Sequence, residues 1–173
     1  MKKKLIITII GIITVLLALI IIIFNLTGRR KENVYKEYKI DNCKFKVLEE
    51  YRYKFDKDKK RGYLDNSIFL KSYIYISNKK YKDLISLSAY YEDMGGNEID
   101  SDVEETKFGN YSVFINTKEV EYDDVEEHDY LVIILVKLDE DRTFVFQYEI
   151  NSKNNKDEIL NNIKEGLKNI EEK

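Results

Sequence analysis

The sequence predicts an α+β protein in which one N-terminal transmembrane helix is followed by a mostly antiparallel β-sheet domain with a C-terminal helix packed on it. Three observations carry this. Residues 5–26 form an uncharged, almost wholly apolar run of 22 residues, flanked by Lys2-Lys3-Lys4 and Arg29-Arg30-Lys31. From residue 38 to residue 150, short segments alternate apolar and polar side chains between charged turns, the period-2 pattern of half-buried strands. The chain then closes with Ile159, Leu160, Ile163, Leu167 and Ile170 at helical spacing, one buried stripe.

At about 1.5 Å per residue the apolar run reaches ~33 Å, enough for a hydrocarbon core of about 30 Å. A cleaved signal peptide is the rival reading, but its apolar stretch is usually about 7–15 residues and ends in a small-x-small site. Asn25-Leu26-Thr27-Gly28 is a poor match, and a lipoprotein would need a cysteine directly after the run, where Cys43 comes too late. The expected organisation is a cytoplasmic N-tail over residues 1–4, a single membrane span over 5–26, a juxtamembrane linker over 27–37 and an extracytoplasmic domain over 38–173. The basic flank after the span argues against this orientation. Long domains, however, translocate largely regardless of charge, which favours it. Gly11 has no small residue four positions away, so the helix-dimer motif is absent.

The domain is expected to fold on its core alone. Cys43 is the one cysteine, which excludes an intramolecular disulfide. Charged residues make up 35% and aromatics 13%, with 14 Tyr against 8 Phe, a balance that suits strands with one wet face. The chain has no proline, which excludes a Pro-rich stalk.

Taken in order, the first strand signals are residues 38–40 and 43–47, where Cys43, Phe45 and Val47 share one face and Lys44 and Lys46 the other. Tyr51, Tyr53 and Phe55 continue such an alternation, with Arg52 and Lys54 between them. Residues 56–62 read as a charged loop and residues 67–77 as a strand. Residues 81–94 fit either a strand or a helix closed by Gly95-Gly96; the stripe Tyr81, Leu84, Ile85, Leu87, Ser88, Tyr91, Met94 tips the reading to helix. A strand follows over 111–120, and a hairpin over 130–150 turns at Asp139-Glu140-Asp141. Its first arm, Leu131-Val132-Ile133-Ile134-Leu135-Val136, is apolar on both faces and requires a layer on each side of its sheet. In the closing helix, Asn155 is placed to cap, with Glu158 at the capping-box position. Gly166 inside the helix is a blemish of about 1 kcal/mol against alanine.

The hairpin over 38–47, the meander over 111–150 and the helix carrying Ile159 to Ile170 stand in the element order of the PsbP-like α-β-α sandwich domains. This is the fold of the extrinsic photosystem II protein and of many exported bacterial proteins. The sequence resembles that family in order of elements rather than in any motif. It departs from the family at Val47-Leu48-Glu49, where relatives usually carry a proline. The resemblance implies the sandwich fold but no activity, since the family includes structural, ligand-binding and protein-interaction roles.

No constellation in the sequence commits the domain to catalysis, a cofactor or a metal. Cys43 and His128 offer one nucleophile pair, but Cys43 sits among apolar neighbours and His128 in the acidic run Glu126-Glu127-His128-Asp129, the reverse of what an activated thiol needs. The acids Glu119, Glu121, Asp123, Asp124, Glu126, Glu127 and Asp129 lack the spacing and glycine of a calcium loop. Asp56/Asp58 and Asp139/Asp141 read as ordinary turns. P-loop, dinucleotide, HExxH and GxSxG patterns are absent.

Two features point to binding. Tyr51, Arg52, Tyr53, Lys54 and Phe55 form a candidate ligand face if the aromatics are exposed, stacking on sugars or peptide while the cations grip anionic groups; burial of three aromatics in the core is the competing reading. Charge is also uneven: residues 29–82 hold 17 basic and 8 acidic residues, net +9, and residues 83–173 hold 9 and 24, net −15. Separated on the fold, these halves would offer a basic side to anionic headgroups or wall polymers and an acidic side to a basic partner; interleaved, they would neutralise each other across strands. Nucleic acid is not expected, because no aromatic–basic motif of a known module accompanies the charge. The expected function is a membrane-anchored, surface-displayed, non-enzymatic binding or accessory domain with a protein or cell-wall partner. The alternatives are an envelope hydrolase built from scattered acids and an accessory or inhibitory subunit of a membrane complex.

Overall fold

The computed structural model describes residues 33–88, 97–121 and 128–172. The expected span over 5–26 lies outside them, as do residues 89–96 of the ambiguous segment and residues 122–127 of the acidic run. Among the described residues no helix is long and apolar enough to cross a membrane.

Among the described residues two sheets build the domain. β1 (Tyr35–Ile40) and β2 (Cys43–Leu48) form an antiparallel hairpin, and the two-residue β10 (Glu171–Glu172) adds to the other side of β2. The larger sheet has seven strands in the order β3 (Tyr53–Asp56), β4 (Arg61–Leu64), β5 (Phe69–Ser77), β9 (Thr143–Asn151), β8 (His128–Lys137), β7 (Tyr111–Glu121), β6 (Asn97–Phe108). Every neighbouring pair is antiparallel. Helix α1 (Tyr81–Ser88) packs on β8 and helix α2 (Lys156–Leu167) on β2.

The two-faced apolar run of β8 dictates the layers. Val132, Ile134 and Val136 enter the main core, where Phe45 of β2 meets Phe144 of β9 at 5.2 Å and Ile159, Ile163 and Leu167 of α2 close the layer. Leu131, Ile133 and Leu135 point to the opposite face and join Phe114, Val120 and Val145 in a second cluster, against which Tyr81, Leu84 and Ile85 of α1 pack. The layer required on each side is therefore present. Asn155 caps α2 through the Glu158 amide, 3.2 Å from its Oδ1.

Several elements differ from expectation. β1 begins at Tyr35, inside the expected linker. The expected charged loop over 56–62 contains a turn and the start of β4, the turn being tied by Asp56 Oδ1, which accepts from the Asp58 and Lys59 amides at 3.1 Å. β6 was not expected at all: Glu98, Asp100, Asp102, Glu104 and Glu105 leave it without an apolar face. Charges of that kind protect an edge strand from pairing with other chains, so the feature that hid β6 belongs to its position.

Gly166 has a packing reason. A Cβ there would lie 2.3 Å from Lys46 O and 3.0 Å from its carbonyl carbon, beyond the point where β10 stops pairing with β2. The helix thus approaches the strand backbone through a hydrogen-only surface. Gly166→Ala is expected to destabilise the domain by roughly 1–3 kcal/mol through overpacking, the opposite sign to the propensity gain of an exposed helix position. Chemical denaturation read by fluorescence measures it, and a gain in stability would contradict the close approach.

Candidate functional site

Cys43 lies on β2 of the small sheet and is fully buried, whereas His128 opens β8 of the large sheet rather than sitting in a loop. Burial is the main cause that pushes the Cys43 thiol up to about 12, with Glu172 adding to it. A thiolate nucleophile is not available at neutral pH from such a group. Asp65, Asp139 and Glu140, all at the surface, are held below the usual carboxylate range, each by a hydrogen-bonding partner. A general acid needs the reverse.

The aromatic segment 51–55 does not keep one face. A 3-10 turn over Glu49–Tyr51 and Arg52 at φ 52 interrupt the alternation. Tyr51 is buried against Phe69. Tyr53 packs between Tyr38 at 4.5 Å and Phe45 at 5.4 Å, and burial raises its hydroxyl pKa. Phe55 alone of the three is well exposed, at 43%. Of the two cations, Lys54 is paired with Asp65 at 2.5 Å, and Arg52 is exposed. The segment divides between core and surface instead of acting as one binding strip.

What it does build is the edge of a groove. Tyr53 lies across Gly62, where a Cβ would come within 2.3 Å of its ring, and so seats β4 on β3. Between β4 and β5 the ladder registers at Gly62↔Ile74, and the Leu64 amide turns instead to Ser72 Oγ at 2.7 Å. Over this seam lies an open groove of about 420 Å³. Its walls include Arg61 and Tyr63 from β4 and Lys71 and Tyr73 from β5, with Lys59 at the turn, Leu70 at the rim and one carboxylate, Asp56, which is held by the Asp58 and Lys59 amides. Residues two apart on a strand share a face, which places Arg61 with Tyr63 and Lys71 with Tyr73. The Arg61 guanidinium sits over the Tyr73 ring, 4.5 Å from its centroid. Tyr63 is 37% exposed.

The cations of this groove are weakly neutralised. Lys59 is 3.9 Å from Asp56, and Lys71 is 3.7 Å from the buried Glu149. A larger groove of about 800 Å³ between the turns at Gly109 and Leu138 and the end of the chain differs in this respect. Most of its charges are engaged: Lys137 with Glu140 at 2.7 Å, and Asp139 and Glu172 with Arg142 at 2.6 and 2.5 Å. The sequence reading missed Arg61, Tyr63, Lys71 and Tyr73. The available signal was basic–aromatic alternation in two nearby segments, Arg61-Gly62-Tyr63 and Lys71-Ser72-Tyr73.

Buried Cys43 gives a direct test of the thiol assignment. It is expected to resist alkylation in the native chain at pH 8 and to react completely once denaturant exposes it. Rapid native alkylation, followed by mass spectrometry, would contradict its burial.

No protein-family model and no curated protein sequence matches the chain. The structure is similar to the solution structure of cyanobacterial PsbP (CyanoP) from Synechocystis sp. PCC 6803, with a TM-score of 0.50 and 12% identity over 84% of this chain and 96% of that one. At that identity the likeness concerns the fold alone. The domain has a PsbP-like fold.

Proposed function

We propose that the chain is a membrane-held, surface-displayed binding domain without enzymatic activity, and that its ligand docks in the groove between β4 and β5. The observation that carries this reading is the Arg61–Tyr73 stack beside the exposed Tyr63 and Lys71. Aromatic faces and cations project there from strands rather than from a loop, so the geometry costs little ordering on binding. The membrane anchor rests on the length and flanks of the apolar run over 5–26.

Acylation of lysines on intact cells with a membrane-impermeant reagent tests display and occupancy together. Lys57, on the exposed turn, is expected to label fully, and Lys59 and Lys71 to label several-fold less than in the purified full-length chain. Absence of any labelling would overturn the outward orientation. Equal labelling of all three lysines in cells and in the purified chain would overturn the groove as the occupied site.

A further inference from the structure

We infer that the groove takes an acidic saccharide, a sugar chain bearing carboxylate or phosphate groups; this deepens the binding reading above and rests on it. The argument begins with Arg61. The Arg61 guanidinium lies over the face of the Tyr73 ring, 4.5 Å from its centroid, and its N–H donors form the fork that matches a carboxylate or phosphate edge. Among the described residues no carboxylate is ion-paired with Arg61. Its stacking partner also fixes its position in advance, which lowers the entropy lost on capturing an anion.

Anion binding alone would not need the rest of the wall. Tyr63 presents an exposed aromatic surface beside the fork, suited to the apolar face of a pyranose, while its hydroxyl can bond a sugar hydroxyl. Lys59 and Lys71 flank the same groove at opposite ends of the β4–β5 segment. Their contacts with Asp56 and Glu149, at 3.9 and 3.7 Å, are long for ion pairs and readily exchanged for a charge-assisted bond to ligand. A groove of about 420 Å³ falls within the usual range of small-ligand sites, roughly 300–1,000 Å³. It is open at its ends, which suits a few residues of a polymer. A bare anionic surface would engage Lys57, Lys60 and Arg52 equally, because these cations are exposed nearby; it would make no use of Tyr63.

The test uses the full-length chain in nanodiscs of zwitterionic lipid. Calorimetry compares a uronic-acid tetrasaccharide, a sugar-phosphate oligomer, a neutral tetrasaccharide of equal length and, separately, vesicles of anionic lipid. Either acidic saccharide is expected to bind at least about tenfold more tightly than the neutral one; which of the two binds identifies the acid group. Arg61→Gln and Lys71→Gln are each expected to weaken binding about tenfold, Tyr63→Ala about threefold to tenfold, and Lys57→Ala less than twofold. Circular dichroism of each variant, matched to the parent, shows that the fold is retained. Equal affinity for the neutral and acidic saccharides would overturn the proposal, as would preference for anionic vesicles with Tyr63→Ala and Lys57→Ala behaving alike. If neither acidic saccharide binds while Lys59 and Lys71 remain shielded on cells, the ligand class is wrong and the groove still stands as the binding site.

Discussion

Burial of β8 on both faces is the constraint from which the rest of the domain follows. A strand whose six central residues, Leu131 to Val136, all lie within the protein must sit near the middle of its sheet with a layer on either side. β9, paired along its length to β8 and to β5, is the neighbour that completes this centre. One layer is supplied by the small sheet with α2, the other by α1. Strands with fewer apolar positions are left the edges, and the two edges differ sharply: β3 and β4 on one side, with the basic turn over 57–60, and the acidic β6 on the other.

The groove is a consequence of being at that edge. β4 is four residues long and meets β5 over a short register, so the seam between them opens where a longer strand would have closed it. Tyr53 and Gly62 hold the hairpin down against the core, and Ser72 satisfies the Leu64 amide that the missing ladder leaves behind. Side chains on the outward face are then placed by well-packed strands while remaining exposed to solvent. That combination favours recognition, because little is spent on ordering the site at the moment of binding.

Much of this was legible in the residues themselves. The two-faced run of β8, the hairpin turn at Asp139 and the capped stripe of α2 each rest on local physics, and each recurs in the structure. β6 was not legible, because an edge strand bearing acids on both faces has no apolar period to detect. The tyrosine segment misled for a different reason. Its alternation over Tyr51, Tyr53 and Phe55 is real in the sequence, but Arg52 adopts a left-handed conformation and rotates Tyr51 away from the strand that follows. The groove residues were hidden because Arg61 and Tyr73 meet only through strand pairing, and pairing partners are not encoded locally.

The unequal halves of the chain are likewise sorted by strand order. The pairs Lys36–Glu49, Lys44–Glu37 and Lys54–Asp65 stay within the basic half, and Arg142–Glu172 and Lys164–Glu104 within the acidic half. The charges of the two halves meet in the Lys71–Glu149 pair at the β5–β9 seam, while α2 packs on β2 and β10 pairs beside it. A domain with a basic and an acidic edge attracts partners of opposite sign to each. The most direct measurement is NMR paramagnetic broadening of the full-length chain by small anionic and cationic probes at low ionic strength. The anionic probe should broaden amides over residues 54–73 preferentially, and the cationic probe those over 98–105. Indistinguishable broadening by the two probes at both edges would contradict the account.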